Sequence, residues 1–559
     1  MAATEKNKQT KVKWTGLGLW NVFFIGEFLL GGFGYLSLNL LQNVLLLVFV
    51  LFPIGNRYLR WLRTLIAVVC AAALVYSESW LPGLDSIRGN FHNLAAMESG
   101  YLLESALNFL NFEMIGAGIA LIIIYYAIRD YIRVTTFTVG YLFILLCAPL
   151  WQPFVAQLRA PATEVVASAE SAKKPAEEEK KSDLIPQTAE PTSKNLDEWL
   201  KRFHDTEKDR RAEWPDKLAK DSTPFDILLL NICSLSNDDL RAVGLENHEV
   251  LKQFNIRFEN FNSATSYSGP AALRLLKSVC GQPSHEDLYE GRNPDCEIMN
   301  RLARLGYNQH VFMDHSGKYD NFYQSLRHLA GLSPQLAEMK YPKRYDSFDE
   351  EPIGDARAVF KDYENTIAAD KGGRSATFIN MIALHDGNRF ANKRRLAPFK
   401  PRAQAMLDDL GSLIADLEKS GRKVMLVVVP EHGAAEKGDK VQVAHLRDIP
   451  SPAITHVPAL VKFIGVTPAD NPVTVDTKTS YLAVSSLIGR VLETNYFGKP
   501  EGEVPLKDLL KDLTQTHSVS ENANAKVVNY KGKDYVKMDN KDWREYANEK
   551  SKNPCRDLG

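Results

Sequence analysis

A carboxylate and an imidazole stand side by side at the end of an apolar run. Residues 423–433 read Lys-Val-Met-Leu-Val-Val-Val-Pro-Glu-His-Gly, a pattern typical of a buried strand that ends at Pro430. Burying Glu431 and His432 without a partner is unfavourable, and Zn²⁺ accepts both types of ligand. The alternative is a plain loop with a surface histidine. The motif predicts one or the other, and its position after a strand favours the metal site.

A thiol ends a second apolar run, Phe-Asp-Ile-Leu-Leu-Leu-Asn-Ile-Cys at 225–233. Three interpretations of Cys233 are open. It could be a small buried apolar residue, which is the commonest role in isolation. It could be a thiolate ligand for zinc, or half of a disulfide in an oxidising compartment. Cys233 alone therefore does not identify a metal site.

The other cysteines bear on this choice. Cys70 and Cys147 lie in strongly apolar segments, which leaves four: Cys233, Cys280, Cys296 and Cys555. Cys280 and Cys296 enclose a short segment that contains glycines and prolines, so they are the preferred bridge. Four cysteines nevertheless permit three complete pairings. The preferred pairing would leave Cys233 free for a metal.

A hydroxyl-rich turn runs into a helical pattern at 261–276, Phe-Asn-Ser-Ala-Thr-Ser-Tyr-Ser-Gly-Pro-Ala-Ala-Leu-Arg-Leu-Leu. Ser268, which precedes Gly269 and Pro270, would be a good helix N-cap, the commoner role for such a serine. The same geometry suits a nucleophile, because the positive end of a helix favours an alkoxide and an incoming phosphate. Zinc bound to the serine oxygen would make it reactive near neutral pH.

Short apolar runs alternate with helical patterns beyond residue 195, at 225–231, 256–261, 310–313, 376–384, 423–429 and 459–464. They suggest strands buried on both faces of a mainly parallel sheet, which predicts an α/β sandwich. In open α/β sheets the ligand crevice lies at the carboxyl ends of the strands. We therefore expect the polar residues that follow these runs to converge: Cys233, Ser268, Asp314, His315, His385, Asp386, Glu431 and His432.

The first 155 residues are far more apolar than the rest. Runs at 14–35, 36–54, 62–76, 114–128 and 134–154 approach the roughly 20 residues that a membrane-spanning helix needs, and aromatic residues at their ends suit the interface. Lys and Arg concentrate before the first run and in the loops after the second and the fourth. This bias predicts a cytoplasmic N terminus and, after five spans, an exported remainder.

Composition sets the domain boundaries. The 67 basic and 68 acidic residues give a net charge of −1, which argues against a nucleic-acid partner. Residues 160–195 consist largely of Ala, Glu, Lys, Pro, Ser and Thr, which is typical of a flexible tether. We predict a five-span transmembrane anchor at 1–155, a linker at 156–197 and a periplasmic catalytic α/β domain at 198–559. Residues 500–559 receive no role, although 526–538 could form a hairpin.

Five separated motifs carry a resemblance: 231–236 (Asn-Ile-Cys-Ser-Leu-Ser), 262–270 (Asn-Ser-Ala-Thr-Ser-Tyr-Ser-Gly-Pro), 384–388 (Leu-His-Asp-Gly-Asn), 427–433 (Val-Val-Val-Pro-Glu-His-Gly) and 446–452 (Leu-Arg-Asp-Ile-Pro-Ser-Pro). In this order they resemble the cellulose phosphoethanolamine transferases, a family of the bacterial cellulose-biosynthesis machinery. That family belongs to the alkaline-phosphatase superfamily, whose fold is the sulfatase-like α/β sandwich. The resemblance covers nearly the whole chain.

The resemblance implies a zinc enzyme of the bacterial inner membrane with a periplasmic catalytic domain. It would transfer phosphoethanolamine from phosphatidylethanolamine to 6-hydroxyl groups of nascent cellulose, through a covalent intermediate on the serine. Ser268 would be the nucleophile, and the zinc ligands would be Cys233, Glu431, His432 and the Ser268 oxygen. The five helices would dock on the membrane subunits of a cellulose synthase.

Three further residues take roles from the same resemblance. His385 would assist proton transfer or the leaving group, Arg447 would hold phosphate oxygens, and Tyr267 would contact substrate. A second zinc is less well supported, because His456 is better explained as a strand-end histidine.

The chain departs from two related groups. A sulfatase would require x-Pro-x-Arg after its nucleophile, whereas here Ala272 stands at the position of the arginine. In the lipid A phosphoethanolamine transferases a carboxylate, a threonine and an aspartate are usual where this chain has Cys233, Ser268 and Glu431. These differences favour the cellulose branch. The remaining alternatives are a related phosphodiesterase or phosphotransferase with another acceptor, and a mainly scaffolding component of a polysaccharide synthase.

Overall fold

The computed structural model describes residues 16–80, 112–159, 184–336, 340–370, 372–393, 395–439, 441–500, 502–503, 505–539 and 541–546. It divides into a helical unit, with the described residues up to 159, and a C-terminal unit, with those from 184 onward. The predicted linker at 156–197 lies largely outside the described residues, and so does Cys555.

The helical unit contains α1 (Trp20–Gly32), α2 (Leu40–Leu51), α3 (Arg57–Glu78), α4 (Phe112–Ile128) and α5 (Val134–Arg159). Each predicted span thus contains a helix. Among the described helices only α3 is long and apolar enough to cross a membrane by length and composition, and the apolar stretches of the other four are shorter. The helices are confirmed, and the count of five spans stays a prediction.

The helical unit exposes large apolar side chains and buries several polar ones beside its apolar core. Val69 on α3, Ile123 on α4 and Phe143 on α5 are more than 60% exposed, whereas Asn43 and Glu78 are buried. The Asn43 side-chain amide donates to Glu78 Oε1 at 2.9 Å. This pattern is expected where lipid, not water, surrounds the helices, because polar groups must then find partners inside.

The C-terminal unit is built on a seven-stranded sheet of order β10-β2-β9-β8-β1-β6-β3. All strands run in one direction except β9, which is antiparallel to β2 and β8. The predicted mainly parallel sheet is therefore confirmed. Its strands are β1 (Asp226–Ile232), β2 (Ile256–Phe258), β3 (Asn308–Met313), β6 (Ser375–Met381), β8 (Val424–Val428), β9 (Ala459–Ile464) and β10 (Val473–Val475).

Helices cover both faces of this sheet. The helices of the unit are α6 (Ser193–Asp209), α7 (Asn237–Val243), α8 (Ser268–Leu276), α9 (Ile298–Arg304), α10 (Phe322–Ala330), α11 (Ala356–Ala369), α12 (Phe399–Lys419), α13 (Pro452–Thr455), α14 (Tyr481–Glu493) and α15 (Leu506–Leu510), of which α6 packs against another sheet. Along β1, Ile227 and Leu229 enter the core formed with α8 and α14, whereas Leu228 and Leu230 enter the core formed with α11 and α12. This alternation follows from the two-residue period of a strand and confirms the α/β sandwich.

Two smaller sheets complete the unit. Strands β4 (Lys343–Asp346), β5 (Pro352–Gly354) and β7 (Arg389–Phe390) form one sheet, in the order β5-β4-β7. The other is antiparallel and contains β11 (Val519–Glu521), β12 (Ala525–Tyr530), β13 (Lys533–Met538) and β14 (Arg544–Glu545). The predicted hairpin is confirmed as β12 and β13. Helix α6 packs Trp199 and Phe203 against this sheet.

Candidate metal and nucleophile site

The sheet register brings the predicted ligands together. Glu431 N donates to the Ile232 carbonyl and Leu235 N to the His432 carbonyl, at 3.0 and 2.7 Å, so β1 and β8 remain paired beyond their ends. Cys233 therefore lies directly beside His432 in a parallel bridge. Two segments about 200 residues apart in sequence are thus fixed by backbone hydrogen bonds of adjacent strands.

Cys233, Glu431 and His432 form one compact cluster. Their ligand atoms all lie within 4.8 Å of one another, and all three residues are fully buried. Cys233 Sγ lies 3.7 Å from His432 Nε2, which is 4.0 Å from Glu431 Oε2. Tetrahedral zinc places its ligand atoms about 3.3–3.8 Å apart; the separation of Cys233 from His432 lies in this range, and that of His432 from Glu431 is slightly longer. Among the described residues this is the one cluster of three or more His, Cys, Asp or Glu ligand atoms, and His456 is not part of it.

The protonation of the cluster fits a cation. His432 Nδ1 lies 2.9 Å from the Gly433 carbonyl, which requires an N–H there and leaves the Nε2 lone pair facing the cluster. Burial and the charge of Arg447 keep the pKa of His432 well below its usual value. Burial, together with the charge of Glu431, raises the pKa of Cys233 to about 12, and burial raises that of Glu431 to about 7.

A bound divalent cation would reverse these raised pKa values, because it favours the deprotonated thiol and carboxyl. Glu431 Oε2 is buried and has no hydrogen bond of ordinary geometry among the described residues, although Ser268 and Cys233 approach the carboxylate closely enough to offset part of the rise in pKa that burial causes. Such an atom is expensive to bury unless something occupies the space that it faces. The donor set and this oxygen together fit a zinc ion.

Two asparagines and a histidine hold Glu431 from behind. The Asn380 amide donates to Glu431 Oε1 at 2.6 Å and to Asn231 Oδ1 at 2.9 Å. The amide oxygen of Asn380 lies 2.9 Å from His315 Nε2, and Asn231 donates to the Val429 carbonyl at 2.8 Å. Because Oε1 is held, Oε2 is the atom left facing the cluster. His315 is among the residues predicted from the sequence, but the asparagines are not.

Ser268 is the first residue of α8, and Tyr267 occupies the N-cap position. The interpretation of Ser268 as a capping serine is therefore wrong, because its side chain turns toward the cluster instead. Ser268 Oγ lies 3.2 Å from Cys233 Sγ and 3.3 Å from His432 Nε2. This places a hydroxyl at the positive end of a helix and against two candidate ligands.

The loop before Ser268 is held by Asn522, which follows β11. Thr265 Oγ1 and Ser266 N donate to Asn522 Oδ1 at 2.9 and 3.2 Å, and the Asn522 amide donates to Ser266 Oγ at 2.7 Å and to the Asp448 carbonyl. One buried side chain therefore joins the loop before the serine to the loop that carries Arg447. The C-terminal segment, for which the sequence predicts no role, supports the site.

Arg447 and Tyr267 lie at the cluster's open side. Arg447 donates to Ser234 Oγ at 3.2 Å and approaches His432 Nδ1 at 3.3 Å, and it is half-buried. The Nδ1 proton already points to the Gly433 carbonyl, so this approach is a packing contact, not a hydrogen bond. Tyr267 donates its hydroxyl to Asp448 Oδ1 at 2.9 Å. The guanidinium thus adds positive charge beside Ser234 and His432.

His385 lies on the loop after β6. Its Nδ1 donates to the Asp386 carbonyl at 2.7 Å, which leaves Nε2 as an acceptor. Burial first, and then the charge of Arg447, lower the pKa of His385 to about 4, so the imidazole is neutral at pH 7. His385 in turn lowers the pKa of His432, which places the histidines and Arg447 in one electrostatic environment.

The remaining predicted residues have supporting roles. The Asp314 carboxylate accepts hydrogen bonds from the backbone of Ile382 and Ala383 at 2.9–3.1 Å, just before His385. The predicted disulfide between Cys280 and Cys296 is present.

The fold and the site define the class. This is an α/β sandwich in which a serine at a helix N terminus faces a buried thiol, carboxylate and imidazole at the carboxyl edge of the sheet. The chain belongs to the cellulose biosynthesis protein BcsG family. The model of that family's N-terminal domain matches residues 20–147, and the model of its C-terminal domain matches residues 180–543.

Two curated relatives bear the same description, cellulose biosynthesis protein BcsG. The Salmonella typhimurium protein is 41% identical over 95% of this chain and 97% of its own length, and the Escherichia coli protein is 40% identical over the same shares. A Vibrio parahaemolyticus protein of the alkaline phosphatase superfamily has a similar solved structure, with a TM-score of 0.43 and 13% identity, over 60% of this chain and 81% of that one. The C-terminal periplasmic domain of Escherichia coli EptC has a TM-score of 0.36 and 14% identity, over 55% and 94%.

Proposed function

We propose that this chain is a zinc-dependent phosphoethanolamine transferase that uses phosphatidylethanolamine as donor and glucose 6-hydroxyls of nascent cellulose as acceptor. The observation that carries the proposal is the position of Ser268 Oγ, within 3.3 Å of two cluster atoms at the start of α8. Membership of a cellulose-biosynthesis family supports the acceptor.

The reaction is a double displacement at phosphorus. Ser268 Oγ attacks the donor phosphorus, the bond from phosphorus to the glycerol oxygen breaks, and diacylglycerol leaves with a proton. The sugar 6-oxygen then attacks the phosphoserine, the Ser268 oxygen leaves, and the serine regains its proton. Each half forms one phosphorus–oxygen bond and breaks one, so no further reactant is required.

Residues of this chain supply the remaining needs of the reaction. Arg447 holds phosphate oxygens, because a half-buried guanidinium beside His432 pairs well with an anion. His385 Nε2 accepts the proton of the incoming sugar hydroxyl, since the neutral imidazole is its resting form. Cys233, Glu431 and His432 would hold zinc, which supplies positive charge that favours the deprotonated serine and the transition state.

We propose that the chain lies in a bacterial inner membrane with its N terminus in the cytoplasm and its C-terminal unit in the periplasm. The outward apolar side chains of the five helices and the distribution of Lys and Arg support this placement. The Cys280–Cys296 disulfide suits an oxidising compartment. Maleimide labelling of an Arg57→Cys variant in whole cells tests this orientation. We expect labelling of residue 57 only after the cells are lysed, and labelling in intact cells would contradict the orientation.

The proposed activity is tested with the purified full-length chain. Incubation with phosphatidylethanolamine should release diacylglycerol and leave phosphoethanolamine on the wild-type chain, and Ser268→Ala should abolish both. Ser278→Ala is the matched control, because Ser278 follows the same helix and its buried hydroxyl has no hydrogen-bond partner among the described residues. Undiminished release by Ser268→Ala would refute the nucleophile. Metal analysis should give one zinc per chain, lost in Cys233→Ala and His432→Ala, and a metal-free, inactive wild type would favour a scaffolding role.

A further inference from the structure

Exposed apolar side chains of the C-terminal unit concentrate around the candidate site. Among its described residues the large apolar side chains that are more than a third exposed are Tyr267, Tyr289, Tyr319 and Val443. Tyr267 immediately precedes the serine, and Val443 lies on the loop that carries Arg447. Scattered exposed apolar residues are ordinary, but a grouping at one site indicates a binding surface.

Tyr289 borders the start of α8. Its hydroxyl lies 3.9 Å from the position that a Cβ on Gly269 would occupy, directly after the serine. The ring packs at 5.4 Å against His285 and is 42% exposed. No side chain at Gly269 stands between the Tyr289 hydroxyl and the serine's backbone, so a ligand bound on Tyr289 lies next to Ser268.

Tyr319 begins a row of three rings that leads to His385. It meets Phe348 edge to face at 4.8 Å, and Phe348 stacks on His385 at 4.9 Å with 26° between the planes. Phe348 is buried, whereas Tyr319 is 45% exposed. The row therefore links a surface ring to the imidazole that accepts the proton of the acceptor hydroxyl.

The segments that carry the two tyrosines both pack against one helix. Asp320 directly follows Tyr319 in sequence. After burial, its charge contributes to the raised pKa of both tyrosines, and the charge of Arg274 opposes this at Tyr289. Helix α8, whose first residue is the serine, packs against the turn that ends at Tyr289 and against α10, which follows Tyr319. The helix that begins at Ser268 is thus in contact with both segments that carry an exposed ring.

We propose that Tyr289 and Tyr319 form a platform that binds an extended glucan chain across the catalytic site. This inference rests on the proposed function and names the surface that receives its acceptor. A pyranose ring presents C–H groups on its flat faces, which pack on aromatic rings, and equatorial hydroxyls at its edge, which donate to carboxylates. Asp320, next to Tyr319 in sequence, and Asp349, next to the Phe348 that packs on Tyr319, supply such acceptors.

A bilayer surface is the less suitable occupant. Carboxylates beside the rings would repel anionic headgroups and would lose hydration against acyl chains. Exposed rings that have carboxylates beside them suit a ligand that is itself flat and rich in hydroxyls. The surface therefore favours a polysaccharide.

The test measures binding separately from turnover. Full-length Ser268→Ala chain in nanodiscs is titrated with cellohexaose by calorimetry, alone and with Tyr289→Ala, Tyr319→Ala or the matching phenylalanine variants. We expect each alanine to weaken binding at least tenfold and each phenylalanine to stay within threefold, because the ring is kept. Tyr131→Ala, an exposed tyrosine of the helical unit, is the control and should bind as its parent.

Each outcome decides the proposal. Unchanged cellohexaose affinity in both alanine variants, or none in the parent, overturns the platform even if the wild type releases diacylglycerol. Conversely, absent diacylglycerol release defeats the proposed function while the affinities still report on the platform. If the same tyrosine-to-alanine changes, made in the active chain, raise KM for phosphatidylethanolamine and leave glucan affinity unchanged, the surface faces the lipid donor, and the platform is refuted.

Discussion

Replacing Asn380 with alanine should weaken zinc binding through a residue that touches no metal. Asn380 makes hydrogen bonds of 2.6 Å to Glu431, 2.9 Å to Asn231 and 2.9 Å to His315. A net value of about 1 kcal/mol per bond gives a loss of about 3 kcal/mol in the free energy of unfolding. In a domain of this size that loss lowers Tm by roughly 5 °C.

The effect on the metal is separate from this loss. Without the amide, the Glu431 carboxylate can rotate about its last bond, and Oε2 is no longer fixed toward the cluster. Loss of such a supporting partner lowers metal affinity about 10- to 100-fold, equal to about 1.4–2.8 kcal/mol. The assay is competition for Zn²⁺ with a chromogenic chelator, on full-length wild type and Asn380→Ala, with Tm measured on both after chelation.

Asn255→Ala is the matched control. Asn255 is also buried, donates to Asn471 at 2.9 Å and accepts from Phe463 N at 2.7 Å, beside the strands β2 and β9 and away from the cluster. It should lower Tm comparably and leave zinc affinity unchanged. If Asn380→Ala binds zinc as tightly as wild type while losing the same stability as Asn255→Ala, the reasoning about Glu431 is wrong.

Three other predictions follow from contacts outside the cluster. Replacing Cys280 and Cys296 with serine should destabilise the chain by about 3 kcal/mol, as expected for opening a loop with a sequence separation of 16, and should lower Tm without removing zinc. Asn522→Ala should lower kcat for diacylglycerol release about tenfold with little change in zinc content, since it frees the loop that positions the nucleophile; unchanged kcat would contradict that role. Burial raises the pKa of Glu521, but the hydrogen bond and charge of His204, with other nearby cations, outweigh burial and lower this pKa from 4.5 to about 2. Its ionised form therefore stabilises the fold above pH 4.5, and this stability should be lost as pH falls from 4.5 toward 2; Tm measured over that range should fall less steeply in Glu521→Gln than in wild type.

The strand ends could be predicted because their signal is local. An apolar run followed by Glu431 and His432, or by Cys233, indicates a buried strand and a polar group at its end. The parallel sheet then places such ends at one edge, whatever the order of its strands. The convergence of the ligands therefore required the fold class and not the detailed topology, and six of the seven strands of the large sheet agree with the predicted runs within a few residues, whereas no run is predicted for β10.

The supporting residues could not be found this way, because their roles depend on long-range register. Asn231 and Asn380 face each other only because β1 and β6 pair with these residues opposite. A buried asparagine within an apolar run is the one local signal, and it gives no partner. Asn522 shows the same limit more strongly, since it reaches the nucleophile loop from a sheet that follows every other part of the site in sequence.

The site consists of residues at strand ends, whose spacing is fixed, and residues on loops. Cys233, Glu431 and His432 extend directly from the central strands β1 and β8, where backbone pairing fixes their spacing, as a metal with strict geometry requires. Ser268 and Arg447 lie at the ends of loops, and the buried Asn522 joins those loops to each other. Tyr289 lies against Gly269, directly after Ser268, so under the proposed function an acceptor chain would reach the serine from the loop side and not through the strand-end cluster.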